Sequence, residues 1–218
     1  MADAEAPTRP LGFVRRRARE MLHRAWFFRA QVARRRSVRA FSPDPLPDGV
    51  LEACVEAAAQ APSGAHKQPW TYVVVTEPAL KRRIREAAEA EERSFYGGRA
   101  PQRWLDDLRP FGTDAQKPYL ETAPALVVIF AQRGNAEAKN YYVAESVGIS
   151  AGMFLAACAH AGIATLTHTP SPMGFLGELL ERPASERPFL LIPVGYPVEG
   201  CRVPDLRRKP LSEVLVRR

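Results

Sequence analysis

Cysteine is scarce in this 218-residue chain: Cys54, Cys158 and Cys201 are odd in number and form no C-x-x-C unit. That excludes a disulfide framework and reads as thiols in a reducing compartment, so a cytoplasmic protein is expected. The four histidines make no H-x-x-x-H pair and no cysteine pair accompanies them, so no metal site is expected. Neither G-x-G-x-x-G after a strand nor G-x-x-x-x-G-K-[ST] occurs, which removes the usual phosphate loops of dinucleotides and nucleoside triphosphates. No apolar run approaches the roughly 20 residues of a membrane helix. A signal peptide is also missing, because arginines interrupt the N-terminal stretch as far as Trp26. No membrane partner is expected.

What the chain does have is ordinary globular composition, 46% hydrophobic and 25% charged, with a net charge of +7. That charge is unevenly placed: residues 1–40 carry +8 and the remainder −1. Arg15, Arg16, Arg17, Arg19, Arg24 and Arg29 read as the solvated face of a helix whose other face is Leu22, Trp26, Phe27 and Phe28. The body is neutral, so nucleic acid is not expected as a partner. This divides the chain into a basic helical arm, 1–33, and a single domain, 34–218.

Within the domain, Ser42 to Asp48 breaks any helix, and Val50, Leu51, Cys54, Val55 and Ala58 then repeat at helical spacing, predicting a helix over 49–60. Strands are predicted at 70–76, 123–131, 163–167 and 188–196, and helices at 78–93, 141–161 and around 175–180. The near-continuous apolarity of 123–131 requires both faces of its sheet to be covered. The stretch 141–161 carries almost no charge except Glu145 and reads as a helix buried all round. Gly148 to Gly152 matches G-x-S-x-G, but in mid-helix it lacks the strand and sharp turn of a nucleophile elbow. Residues 92–117, broken by Gly97, Gly98, Pro101, Pro110 and Gly112, read as a lid. The fold class is α+β, an α/β sandwich.

Three segments point to chemistry. Arg34-Arg35-Arg36-Ser37-Val38-Arg39 offers guanidinium forks and a hydroxyl suited to phosphate oxygens. Pro62-Ser63-Gly64-Ala65-His66-Lys67-Gln68-Pro69-Trp70 allows backbone N–H groups to approach a ligand. Pro204-Asp205-Leu206-Arg207-Arg208-Lys209-Pro210 is a second basic cluster. In this order and spacing they resemble the FMN-dependent nitroreductase superfamily from about Arg34 to the end. Its iodotyrosine deiodinase branch is the nearest likeness, with Arg103-Trp104, Tyr119-Leu120, Thr122-Ala123-Pro124 and Pro193-Val194-Gly195-Tyr196-Pro197 also in place.

The resemblance implies an intertwined homodimer holding FMN through Arg35, Arg36, Ser37, Arg39, Pro62, Ser63, Gly64, Thr167, His168, Thr169 and Arg208. It implies a halotyrosine substrate whose zwitterion is held by Glu92, Tyr96 and Lys117 and whose phenolate meets the Ala65 N–H. Glu92 would accept from the ammonium, and Tyr96 and Lys117 would donate to the carboxylate. A threonine hydroxyl near flavin N5 is Thr169, with Thr167 the alternative. The implied reaction is reductive removal of iodide, bromide or chloride, with NAD(P)H or a reductase as electron donor. The alternative is a nitroaromatic or quinone reductase on the same fold. The chain departs from the family in having no N-terminal anchor, a short loop at 131–139, and His168 between the two threonines.

Overall fold

The computed structural model describes residues 8–134 and 139–218, so the middle of the 131–139 loop lies outside the described residues. Two compact units are formed, Met1–Arg34 and Arg35–Arg218. The first contains helix α1, Ala18–Arg34, whose Glu20 accepts from Arg16, just ahead of the helix, at 2.8 Å and from Arg24 at 2.9 Å. In each pair the partners are four residues apart, a spacing at which opposite charges support a helix.

The second unit is built on an antiparallel sheet in the order β1-β2-β4-β3, with β1 Trp70–Val75, β2 Ala125–Gln132, β3 Ala164–Thr165 and β4 Glu186–Gly195. Alternation along β2 sorts the core into two layers. Ala125, Val127 and Ile129 pack with α2 (Val50–Ala59) and α6 (Val143–His160). Leu126, Val128 and Phe130 pack with α3 (Pro78–Ser94), α5 (Tyr119–Thr122) and α7 (Gly174–Leu179). Shorter helices α4, Gln102–Leu108, and α8, Leu211–Val214, complete the set among the described residues. Every pairing within the sheet is antiparallel, which makes this an α+β fold.

Helix α6 follows the sheet through Val147, Ala151, Phe154 and Cys158, spaced for one helical face. Its buried Ser150 donates to Ala58 O at 3.0 Å and meets the Tyr72 hydroxyl at 2.7 Å, so a polar group in the layer is fully used. By length and composition α6 is apolar enough to cross a membrane, with a mean hydropathy of 1.3, yet that face lies in the core. It is not buried all round, as its composition suggests: Gly148, Ile149 and Gly152 are exposed, Ile149 at 47%. Among the described residues nothing covers the apolar outer side of the helix at Ile149.

Two sheet-edge contacts set up the site. Ser37 bridges Thr165 in parallel, with Val38 N donating to Thr165 O at 3.1 Å, so the arginine segment runs beside β3. Val198 N donates to Ala40 O at 3.1 Å, which returns the C-terminal segment to the same edge. Close packing there depends on Gly195, where a Cβ would run into Pro124 Cδ and stand 2.8 Å from Pro124 Cγ. Gly195→Ala is therefore expected to destabilise the domain by about 1–3 kcal/mol through overpacking, read as a lower urea midpoint at unchanged m-value.

Candidate active site

Ile84 and Ala88, one turn apart on the buried face of α3, are followed at the same spacing by Glu92. The helix therefore carries a carboxylate along its apolar stripe and into the interior. There Glu92 Oε2 meets Lys117 Nζ at 3.4 Å. Lys117 is only 2% exposed, and its backbone N–H donates to Glu89 at 2.7 Å. Its ammonium also donates to Thr113 Oγ1 at 3.1 Å and to the Asp114 carbonyl, so all three N–H groups are used. Burial shifts both partners against their charges, Glu92 upward and Lys117 downward, each opposed by the attraction of the other.

The pair lies in a cavity of about 190 Å³ that is walled by Phe95, Tyr96 and Trp104. Phe95 meets Trp104 edge-on at 5.1 Å and Tyr96 at 5.3 Å, and Lys117 lies 5.5 Å from the centre of the Tyr96 ring. The lid segment is therefore a series of helical pieces, α4 included, closed down on apolar contacts. Across the cavity, Thr167 and Thr169 are exposed while His168 between them is buried, the alternation of an extended strand. Arg39 completes this wall.

The other arginines gather beyond the cavity. Arg208 donates to Arg35 O at 3.1 Å and Arg36 donates to Pro204 O. Burial, followed by the nearby charges of Arg208 and Arg36, lowers the Arg35 pKa. Three guanidinium groups that repel one another form a cluster that could hold a multiply charged anion.

The segment 62–65 goes elsewhere, and none of its residues lines the cavity. Ser63 Oγ accepts from Gln68 N at 2.9 Å, and Gly64 N donates to Ser146 Oγ on α6 at 3.3 Å. A Cβ on Gly64 would stand 3.0 Å from the Tyr142 ring and 3.3 Å from the Tyr141 carbonyl, so this loop sits close against the start of α6. Ala65 takes a left-handed conformation, φ 45°. The expected site thus falls into three groups in one chain: Arg39, Glu92, Tyr96, Lys117 and the Thr167–Thr169 segment at the cavity, Arg35, Arg36 and Arg208 with neighbouring Ser37 beyond it, and Pro62 to Ala65 apart. Thr113 and Phe95 line the cavity without having drawn notice in the sequence. A threonine after a turn glycine carries no signal of its own, whereas Phe95 is detectable as a large apolar residue beside Tyr96 in an otherwise polar stretch.

His168 has a distinctive environment. Its ring packs edge-on against Tyr119 at 5.8 Å, and burial, with Lys117 and Arg39 nearby, pushes its pKa down to about 3. Between about pH 6.5 and 3 the unfolded chain binds a proton here that the folded chain excludes, so this residue makes stability fall as pH falls. Relative to the wild type, His168→Gln is expected to gain stability on going from pH 7 to pH 5, on the order of 1 kcal/mol per pH unit below 6.5, measured by urea unfolding across pH. Parallel stability profiles for the two proteins would contradict a neutral buried imidazole.

Residues 32–196 match the nitroreductase family. Over 202 residues the chain is 54% identical to iodotyrosine deiodinase of Haliscomenobacter hydrossis, covering 90% of this chain and 91% of that protein. It is 48% identical over 190 residues to iodotyrosine deiodinase of Drosophila melanogaster, covering 84% and 66% respectively. Its structure is similar to the crystal structure of oxidized iodotyrosine deiodinase bound to FMN and 3-iodo-L-tyrosine, with TM-score 0.75 and 29% identity over 87% of this chain and 97% of that one. The chain belongs to the nitroreductase family, in its iodotyrosine deiodinase branch.

Proposed function

We propose that this chain is an FMN-dependent reductive dehalogenase of halotyrosines, 3-iodo-L-tyrosine and its bromo and chloro counterparts. The observation that carries the reading is the buried Glu92–Lys117 pair in an aromatic-walled cavity. A carboxylate and an ammonium side by side are the complement of an amino-acid zwitterion. Substrate enters by exchanging partners: its ammonium takes Glu92, and its carboxylate takes Lys117 and the Tyr96 hydroxyl. The cavity then loses one buried ion pair and gains two, while Phe95 and Trp104 exclude water.

FMN fits the residues present. Arg35, Arg36 and Arg208 would hold its phosphate with Ser37, and Arg39 and the exposed Thr167 and Thr169 would face its ring system. When bound, the cofactor supplies two electrons that, with one proton, replace the carbon–halogen bond by carbon–hydrogen and release halide. The chain's residues orient the phenol and hold its charge. Thr169 is our choice for the hydroxyl at flavin N5, with Thr167 next, and the electrons come from NAD(P)H or a reductase. The free thiols, Cys54, Cys158 and Cys201, suit a cytoplasmic setting.

The working unit in this reading is a homodimer. Pro62, Ser63, Gly64 and Ala65 lie away from the cavity of their own chain, and α6 presents Ile149 beside Tyr141 and Tyr142 outside the core. A second copy would cover that apolar face and bring the Ala65 N–H to the phenolate. In sedimentation, the wild type is expected at twice the chain mass and Ile149→Arg at the single mass with flavin lost. A flavin-loaded wild-type monomer that binds ligand would overturn this arrangement.

The functional reading is tested by quenching of flavin fluorescence on titration with 3-iodo-L-tyrosine, with tyrosine and a nitroaromatic as controls. Saturable binding of iodotyrosine ahead of both controls is expected. Glu92→Gln should weaken it about 10- to 100-fold, because the substrate ammonium then enters the buried site with no carboxylate to receive it, with flavin content unchanged. Iodotyrosine binding no tighter than the controls would move the chain to nitroaromatic or quinone reduction.

A further inference from the structure

The Glu92–Lys117 pair accounts for one oxygen of Glu92. The other, Oε1, is turned toward His168 Nε2 at 3.8 Å, too far for a hydrogen bond. Among the described residues, Nε2 is one of two buried side-chain polar atoms with no hydrogen-bond partner, the other being Thr165 Oγ1. His168 is 8% exposed and lines the cavity. It is also held rigidly: its N–H donates to Leu191 O at 2.9 Å, its carbonyl accepts from Leu191 N at 3.0 Å, and Tyr119 braces the ring. A buried ring nitrogen left unpaired is destabilising, and a ligand donor would relieve that cost.

Polarity and spacing say which donor. The imidazole is neutral at ordinary pH, so with its proton on Nδ1 the Nε2 lone pair is an acceptor, turned toward Glu92 at the cavity wall. Beside it stands a carboxylate oxygen, a second acceptor. Two acceptors each about 2.8 Å from one tetrahedral ammonium nitrogen stand roughly 4.5 Å apart, within easy adjustment of the separation seen here. A hydroxyl, with a single proton, satisfies only one of the two. A primary ammonium satisfies both and brings the positive charge that Glu92 needs once Lys117 turns to the substrate carboxylate.

We infer that His168 is a substrate-binding residue which, together with Glu92 Oε1, receives the α-ammonium group of the substrate and so selects amino acids over phenols that lack the amine. The inference rests on the halotyrosine reading. It gives the His168 side chain a role separate from any contact its backbone makes with the cofactor.

The test uses full-length, FMN-loaded protein and two ligands, 3-iodo-L-tyrosine and its des-amino counterpart, 3-(3-iodo-4-hydroxyphenyl)propanoate, titrated by calorimetry. The wild type is expected to prefer the amino acid. In His168→Ala the affinity for iodotyrosine should fall about 10-fold while that for the des-amino acid stays within about twofold, the worth of one hydrogen bond to a charged donor. His168→Gln, whose amide oxygen still accepts, should keep most of the preference, and His168→Met, of similar bulk but without a strong acceptor, should lose it. The Gln and Met comparison decides the matter if the Ala variant does not fold or load flavin. Equal losses for both ligands, or a preference unchanged in Ala and Met, would overturn the role of His168 while leaving the functional reading intact. A wild type that binds neither ligand, or does not distinguish them, would overturn the amine site itself, and failure to bind iodotyrosine would overturn the halotyrosine reading with it.

Discussion

Burying an ammonium and a carboxylate together is costly unless each remaining hydrogen-bonding position is filled, and the Lys117–Glu92 pair shows how this chain meets that cost. Lys117 is fully donated, to Glu92, Thr113 and Asp114, and its backbone is fixed by Glu89. Glu92 is less completely satisfied, and the His168 Nε2 that faces its second oxygen has no hydrogen-bond partner. The lid pieces, the end of α3 and the strand around His168 converge on this pair. Its incomplete satisfaction gives a zwitterionic ligand something to gain by entering, and the aromatic wall ensures that what enters displaces water.

The sheet separates this chemistry from its complement. Strand β2 is buried on both faces, so it can support two unlike layers. The cavity belongs with the layer of α3, α5 and α7. The Pro62–Ala65 loop packs on the beginning of α6, in the other layer. One chain cannot fold these onto a single ligand without breaking the core between them. In the homodimer proposed above, a neighbouring copy would bring the same loop, on the same helix, across the exposed apolar side of α6.

Charge is arranged on the same principle of local imbalance. Outside the N-terminal stretch the chain is close to neutral, yet Arg35, Arg36 and Arg208 are brought together from segments some 170 residues apart, 173 between Arg35 and Arg208. Parallel bridging of Ser37 with Thr165 and the return of Val198 to Ala40 hold them there. Mutual repulsion in such a cluster is tolerated where an anion is to be held, and it explains why backbone carbonyls serve as the arginines' partners.

Much of this was legible without coordinates. Helical spacing of apolar residues located α2; Pro78 and the charged run after it located α3; and apolar or β-branched runs located α6 and all four strands to within a few residues. The residue types at Glu92, Tyr96, Lys117 and the Thr167–Thr169 segment were likewise singled out through the resemblance of their spacing to a family. Sequence had no means of stating that Glu92 spends one oxygen on Lys117 and turns the other to His168, because those three come from different elements and meet only when the lid closes against the sheet. Nor did it reveal that α6 keeps an apolar face outside the core, since an all-apolar helix reads the same whether its second partner is its own chain or another. Sequence determined which segments are apolar, which are charged and how each folds locally. Only tertiary structure decided which charges were desolvated together and which polar atoms were left unpaired, because both depend on distances between segments that the order of residues does not contain.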